Sequence, residues 1–219
     1  VRRLNLKVLE WEIADDLDGR PVWAFYEIRP FGVEMEGGEE LELNLQQEVD
    51  APDEAFEIFP GSVIRPGHYR YTRVEVRYLS AVGRRWTFDL AASAGGFYDG
   101  RSTELEGSVE FRSAPHLIAF LDYGHQDVRR PGGDFVARVA RVGLDLAAHA
   151  RLGGSALVQW ENESERLTTS LRVHWAPRPG TDVYLAWNSA WATAVEGGGS
   201  RRSPEEGQLI GKMVHYLRW

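Results

Sequence analysis

Residues 102–112 read STELEGSVEFR and alternate between apolar or small and polar side chains. Because residues i and i+2 of a β-strand share a face, this alternation predicts an amphipathic strand. Soluble strands average about five or six residues, whereas a tilted membrane-spanning strand needs about nine to eleven, which is the length of this run. The face opposite the charged residues carries Leu105, Gly107, Val109 and Phe111.

The same period of two recurs along the whole chain and predicts twelve strands. It is least regular over residues 1–50, where segment 22–28 has aromatic side chains on both faces. The predicted strands lie near 2–13, 20–31, 39–49, 68–79, 84–95, 102–112, 116–124, 135–149, 155–161, 166–176, 181–191 and 207–219.

The predicted connections alternate in length. Short turns are expected at 81–83, 113–115, 152–154 and 177–180, and longer polar links at 50–66, 96–101, 125–134, 161–165 and 192–206. Membrane barrels have short periplasmic turns and longer extracellular loops, and an even strand count returns both termini to one side. The sequence therefore predicts an all-β, antiparallel, up-and-down transmembrane β-barrel of about 12 strands. Residues 1–219 form one domain, or the C-terminal portion of a larger barrel.

Composition agrees with this class and excludes others. The chain has 23 Gly, 8 Trp, 8 Tyr and 9 Phe, as expected for tight turns and aromatic girdles. It has no Cys, so disulfides and thiol chemistry are excluded. A net charge of -8 argues against nucleic acid as a partner. The chain begins at Val1 with no apolar signal segment before the first strand, so we expect a processed chain or a fragment.

The last predicted strand, 207–219, is amphipathic and ends on Trp219. A terminal aromatic strand resembles the C-terminal signal by which outer-membrane proteins engage the barrel assembly machinery. The sequence therefore predicts the cell outer membrane as the location, with its lipid bilayer and that machinery as partners. Further strands or other chains remain alternatives as additional partners, since the strands at membrane depth must close by some route.

From about residue 50 onward, the chain resembles the C-terminal barrel region of large bacterial proteins that carry an N-terminal carbohydrate-binding module of the family-nine type. The resemblance implies an outer-membrane barrel comparable to TonB-dependent receptors, and no known reaction. The module itself has no counterpart in these residues. The matching segments are 56–58, Ile64–Tyr69, Gly95–Gly100, Gln159–Asn162, Leu171–Trp175, Arg178–Leu185 and Lys212–Trp219.

Five side chains are candidate ligand-binding residues. Phe97 or Tyr98 could stack on a sugar ring while Asp99 accepts its hydroxyls; alternatively, this block is a hairpin loop whose glycines supply positive φ. Arg172 and His174 share a face with Ser170. A Ser/His pair could act as nucleophile and base, but no orienting acid or oxyanion motif lies nearby, and a hydrogen-bond network is the alternative. No catalytic residue, metal ligand or cofactor is therefore predicted.

Charged residues of both signs are expected on one face, where they can pair across strands. Such a face could line a water-filled passage or close it. The predicted function is a structural or transport barrel, with ligand uptake as its possible role. An outer-membrane hydrolase and a soluble all-β carbohydrate-binding domain are the alternatives. The expected inward charges are Arg73, Glu75, Arg77, Asp89, Glu104, Glu106, Glu110, Arg112, Asp145 and Arg172.

Overall fold

A computed structural model describes residues 1–15, 19, 21–113, 115–193, 195–196, 199–200 and 203–216. Every regular element in these residues is a β-strand. In the same part of the chain, no helix is long and apolar enough to cross a membrane. The strands are β1 Arg3–Leu4, β2 Lys7–Asp15, β3 Pro21–Glu34, β4 Glu40–Asp50, β5 Phe56–Phe59, β6 Ser62–Ile64, β7 Tyr69–Leu79, β8 Trp86–Phe97, β9 Gly100–Ser113, β10 Leu117–Arg129, β11 Phe135–His149, β12 Leu152–Glu161, β13 Arg166–Arg178, β14 Thr181–Ala192, β15 Val195–Glu196, β16 Gly199–Ser200 and β17 Ser203–His215.

Thirteen of the described strands belong to one sheet, in which strands follow each other in chain order. The order is β1-β3-β4-β7-β8-β9-β10-β11-β12-β13-β14-β17, and β2 also pairs with β3. The pairs β5–β6 and β15–β16 form separate two-stranded sheets. Since β1 and β2 pair with successive parts of β3, they are one interrupted edge strand. The prediction of an all-β, antiparallel, up-and-down fold with twelve principal strands is confirmed.

Several predicted connections are wrong because the strands extend further than expected. Link 96–101 reduces to Tyr98 and Asp99 between β8 and β9, and the first half of 125–134 belongs to β10. Segment 152–154 opens β12 rather than forming a turn. Segment 50–66 contains the β5–β6 hairpin, which the sequence analysis did not predict. Residues 217–219, including the predicted terminal aromatic, lie outside the described residues.

The glycines of the 95–100 block also differ from expectation. The positive φ of 50° belongs to Tyr98, and the glycines of the block are not among the positive-φ residues. These glycines instead permit close approach between strands, because a Cβ on Gly95 would lie 2.2 Å from the backbone oxygen of Thr72. A Cβ on Gly100 would lie 2.3 Å from the backbone oxygen of Arg129. The turn therefore depends on an aromatic residue held in the left-handed region.

The chain forms two compact units. Unit 1 comprises Val1–Gly83, Thr87–Gly107 and Gly124–Arg138, and unit 2 comprises Arg84–Trp86, Ser108–Tyr123 and Val139–Trp219. Each unit contains paired antiparallel strands with two distinct faces. We call these the polar face and the apolar face of each unit.

In unit 1, strand register separates the two faces. Glu42 is opposite Arg77, and Gln46 is opposite Arg73, in the β4–β7 ladder. The intervening positions pair Leu43 with Val76 and Leu45 with Val74. Because side chains alternate between faces along a strand, charged and amide groups share one face and branched aliphatic groups the other. Val74 and Val76 are 44% and 46% exposed.

Unit 2 repeats this division. On its polar face, Asp145 is opposite Ser155 in the β11–β12 ladder, and Ser155 is opposite Arg172 in the β12–β13 ladder. Its apolar face pairs Val142 with Val158 and places Val173 opposite Leu185. The period of two found in the sequence thus sets both faces of both units.

Most large hydrophobic side chains are exposed rather than buried, which is the reverse of a soluble domain. Only seven hydrophobic residues are buried in the described part of the chain, whereas 36 large hydrophobic residues there are exposed. A soluble fold buries its Val, Leu, Ile and Phe side chains and rarely exposes a continuous apolar surface. The few buried hydrophobic residues include Phe97, Val128 and Phe135, which pack together in unit 1.

Candidate functional site

The polar face of unit 1 is crossed by ion pairs between neighbouring strands. The guanidinium of Arg77 contacts both carboxylate oxygens of Asp89, at 2.9 and 2.5 Å. Arg73 reaches Glu48 at 3.2 Å and Glu104 at 3.8 Å. Bidentate and shared pairs of this kind fix the side chains in place. The expected charges Arg73, Arg77, Asp89 and Glu104 therefore share this face. Together with Glu48 they link β4, β7, β8 and β9.

A second group of contacts continues the network toward the edge strand. Arg29 forms an ion pair with Glu42 at 2.5 Å, and its Nε donates to Oδ1 of Asn44 at 2.9 Å. The amide of Asn44 then donates to Glu75 Oε1 at 2.8 Å. Asn44 is 2% exposed, so both ends of its amide are satisfied away from water. Lys7 of β2 pairs with Glu27 at 2.7 Å.

A cavity of about 230 Å³ opens on this face. Two of its carboxylates, Glu75 and Glu106, form no ion pair with any described residue; Glu75 accepts from Asn44, and Glu106 shares a hydrogen bond with Glu104. Its one guanidinium, Arg73, is already paired with Glu48 and Glu104. The cavity therefore carries surplus negative charge. It is lined by Phe25, Gln46, Arg73, Glu75, Ala91, Ser93, Glu104 and Glu106.

The β5–β6 hairpin packs at one end of this face. Phe59 of the hairpin stacks on Phe135 with ring centroids 4.8 Å apart, and Phe135 belongs to the buried cluster of Phe97 and Val128. Phe97 lies at an even number of residues from Asp89 on β8, so it shares the polar face. We call the end formed by segments 51–68, 98–99 and 130–134 the loop end of unit 1. The hairpin therefore covers the polar face at the loop end.

Arg130 holds the hairpin in position. Its side chain is 1% exposed, and its Nε donates to Asp99 Oδ1 at 2.8 Å. One terminal nitrogen donates to Ser62 Oγ and to the backbone oxygen of Val63, each at 3.0 Å. A buried guanidinium is tolerated only when paired and hydrogen-bonded, and both conditions are met. Arg130 thus joins the β8–β9 turn to the β5–β6 hairpin.

Three of the predicted ligand-binding residues, Phe97, Tyr98 and Asp99, lie at the turn between β8 and β9. Phe97 is buried, and the ring of Tyr98 contacts it edge-on at 5.1 Å. The Tyr98 hydroxyl donates to Asp50 Oδ2 at 2.6 Å. Burial raises the pKa of Tyr98, and the hydrogen bond to Asp50 raises it further. Asp99 is engaged by Arg130. These contacts account for the three side chains within the fold, and sugar binding by them stays a prediction.

The polar face of unit 2 has fewer and more exposed pairs. Arg141 reaches Asp122 at 3.3 Å, and Ser108 donates to the same carboxylate at 2.8 Å. The side chains of Arg141 and Asp122 are 50% and 27% exposed, against 12% and 8% for Arg29 and Glu42. Arg112 pairs with Glu110 at 2.6 Å along one strand, whereas pairing across neighbouring strands was expected.

His174 and Arg172 lie on this second face beside a cavity of about 400 Å³. His174 Nε2 is 2.8 Å from Asp182 Oδ1, and its ring stacks on Tyr184 at 4.6 Å. Ser170 lies four residues away on the same strand, a distance of about 13 Å at 3.3 Å per residue. The structure therefore brings His174 to an acid but not to the hydroxyl considered as a nucleophile. Arg172 lines the same cavity as His174.

The sequence analysis missed Arg130, Asn44 and the hairpin. The hairpin had a usable signal, because Pro60-Gly61 separates two short alternating runs. Arg130 had none, because its partners lie 31 and 68 residues away in the chain. In the described residues, no group of three or more His, Asp or Glu side chains has the arrangement of a metal site.

No known protein family matches the chain, and no curated protein does. The family resemblance inferred from the sequence therefore stays a prediction. Among solved structures, the chain is similar to "KdgM porin in complex with disordered oligogalacturonate", with 7% identity and a TM-score of 0.33, covering 98% of this chain and 99% of that chain. It is also similar to "NanC porin structure in rhombohedral crystal form", with 9% identity and a TM-score of 0.34, covering 98% of this chain and 100% of that chain. A likeness this distant does not transfer a neighbour's cargo to this chain.

Proposed function

We propose that this chain is a β-barrel of the bacterial outer membrane and that it passes small solutes along its polar face. The observation that carries the proposal is the exposed apolar face of both units. Val142, Leu144 and Leu146 follow one another on β11 and are 54%, 40% and 46% exposed. Contact of such a face with lipid has no desolvation cost, whereas its exposure to water is unfavourable.

Strand length supports the membrane assignment. β8 has 12 residues, which at about 3.3 Å per residue and a tilt of about 45° span about 28 Å. The hydrocarbon core of a bilayer is about 30 Å thick. Unpaired backbone groups cost several kcal/mol each in that core, so the edge strands β2 and β17 must be paired. We propose closure of the sheet, either on itself or through further strands.

A passage is favoured over a purely structural role by the character of the polar faces. Each has a cavity bordered by charged side chains, of about 230 and 400 Å³. A sealed core would be filled by side chains, as it is in small barrels of about eight strands. A closed barrel of twelve strands would enclose a wider interior. In membrane barrels the short turns face the periplasm and the longer loops face outward. This rule places the start of β1 and the end of β17 on the periplasmic side and the loop end of unit 1 outside. Export would use the assembly machinery, which recognises the terminal strand.

The two alternative functions have weaker support. A hydrolase would need a nucleophile beside His174, and Ser170 is about 13 Å away along the strand. In a soluble sandwich, a second sheet would cover the face that carries Leu105. Leu105 is instead 50% exposed. A carbohydrate ligand at Phe97, Tyr98 and Asp99 would require those side chains to leave the contacts that they now make.

The first experiment separates lipid from water at the apolar face. Val142→Arg should lower the free energy of unfolding from bilayers by about 2–4 kcal/mol, the cost of an arginine near the bilayer midplane. In a soluble protein, the same exposed position would tolerate the change within about 0.5 kcal/mol. The matched control is Val82→Arg, because Val82 is 95% exposed in the turn before β8. Equal effects of the two substitutions would refute the membrane assignment.

The second experiment tests passage itself. Protein refolded in detergent should show heat-modifiable migration on a gel, and its incorporation into planar bilayers should produce stepwise ionic current. A folded, heat-modifiable barrel that carries no current would refute the transport role and leave a structural one.

A further inference from the structure

We propose that the passage prefers cations to anions, and that Glu75 and Glu106 set this preference. The inference rests on the proposed transport function. Its basis is the balance of charge over the whole polar face of unit 1, together with the pairing state of every cation on it.

Carboxylates outnumber cations on this face by about two to one in the described residues. The register of β1, β2, β3, β4 and β7 and the alternation along β8 and β9 assign each group to the face. Even if two adjacent carboxylates share a proton, the face stays negative. The carboxylates include Glu10, Glu12, Glu27, Glu34, Glu40, Glu42, Glu48, Asp50, Glu75, Asp89, Glu104 and Glu106, and the cations include Arg3, Lys7, Arg29, Arg73 and Arg77.

The strand cations other than Arg3 are already paired with carboxylates. Lys7 pairs with Glu10 and Glu27, and Arg29 pairs with Glu42. Arg73 pairs with Glu48 and Glu104, and Arg77 with Asp89. Among the described strand residues of unit 1, an anion moving along this face would therefore find a cation outside these ion pairs at Arg3, on the edge strand. A cation would find Glu75 and Glu106, which lack ionic partners and border the same cavity.

Unit 2 does not reverse this sign. Its polar face has six carboxylates and five Arg or Lys side chains in the described residues, which is close to balance. Carboxylates lining a water-filled passage with low-dielectric walls raise the local concentration of cations and exclude anions. The carboxylates are Glu110, Asp122, Asp145, Glu161, Asp182 and Glu206, and the cations are Arg112, Arg141, Arg166, Arg172 and Lys212.

The test is the reversal potential of single channels in a potassium chloride gradient. Wild-type protein should pass potassium severalfold better than chloride. The double variant Glu75→Gln/Glu106→Gln should lose most of that preference at similar conductance. Glutamine keeps the shape of glutamate, and its carbonyl can still accept the hydrogen bond from Asn44, so folding should be preserved. Heat-modifiable migration verifies that each variant is folded.

The matched control is Glu163→Gln/Glu165→Gln, which removes the same two charges from the exposed loop between β12 and β13. It should leave the selectivity unchanged. A wild-type channel that prefers chloride, or a double variant as selective as wild type, would overturn the inference while leaving the transport function intact. Folded wild-type protein without current would instead overturn the transport function, and the inference with it.

Discussion

The polar faces of the two units have the same alternating sequence pattern but different surroundings. In unit 1, the side chains of Arg29 and Glu42 are 12% and 8% exposed, and a buried Asn44 connects them to Glu75. In unit 2, Arg141 and Asp122 pair at 50% and 27% exposure. An ion pair contributes little where water screens it, whereas removing one partner of a buried pair is costly. The comparison teaches that identical patterning produces a rigid polar network in one unit and a hydrated surface in the other.

A second difference is the β5–β6 hairpin, which packs on the polar face at the loop end of unit 1. Its position depends on Arg130, the most buried charged side chain of that end. The hairpin and the network should therefore make unit 1 the more sensitive of the two units to substitution of polar residues.

The largest effect is expected at Arg130. Arg130→Ala should lower the free energy of unfolding by about 3 kcal/mol, because it leaves the Ser62 hydroxyl and the Val63 carbonyl without their donor and Asp99 without its counter-charge. Urea unfolding of the refolded protein measures the loss, and limited proteolysis should show earlier cleavage in residues 56–64. Wild-type stability and protease resistance in this variant would show that Arg130 does not hold the hairpin.

The next effect tests the contrast between the units directly. Asn44→Ala should cost about 2 kcal/mol, since it leaves Arg29 Nε and Glu75 without a partner in a buried position. Asn188→Ala, at a polar-face position of β14 in unit 2, should cost less than about 0.5 kcal/mol. Unfolding of both variants under identical conditions gives the comparison, and equal losses would remove the distinction between the two faces.

A smaller effect is expected from packing in unit 2. Gly143→Ala should cost about 1 kcal/mol, because the added Cβ would lie 2.1 Å from the Phe120 ring, which must then move. Gly124→Ala is the control, because nothing lies within 4 Å of a Cβ at that position. If the two substitutions have the same effect on unfolding, the Phe120 ring does not restrict Gly143.

The smallest effect concerns acid sensitivity at the loop end. The backbone N–H of Arg130 and the Arg129 side chain lower the pKa of Asp134 below its usual value. A carboxylate with a lowered pKa in the folded state stabilises the fold above the unfolded pKa, about 3.9, and that contribution is lost as pH falls through the lowered pKa. Between neutral pH and about pH 2, Asp134→Asn should therefore lose less stability than wild type. Parallel losses in the two proteins would exclude this contribution.

The local alternation pattern was sufficient to predict the twelve principal strands but not where they end. The run from 102 to 112 identifies β9 because alternation reports directly on which side chains share a face. The extension of β8 and β10 into predicted loops was missed, because polar residues near a turn look the same whether or not their backbone pairs. The turn at Tyr98 required contacts with Phe97 and Asp50 that lie outside any local window.

The candidate site was predictable only in part. Alternation indicated that Arg73, Glu75, Arg77 and Asp89 would share a face, since parity along neighbouring strands requires it. Which of them would pair depended on the register, which places Arg77 beside Asp89 and leaves Glu75 with an amide partner. The separation of His174 from Ser170 followed from strand geometry, but the partner Asp182 lies on the next strand and was not identified.

The sequence by itself determined the strand order, the two faces and the excess of carboxylates, because each follows from local periodicity and composition. Only the tertiary structure decided which charges are paired, which are left over, and where Arg130 anchors the hairpin. The physical reason is that pairing depends on register and on contacts between residues far apart in the chain, and a period of two contains no information on either.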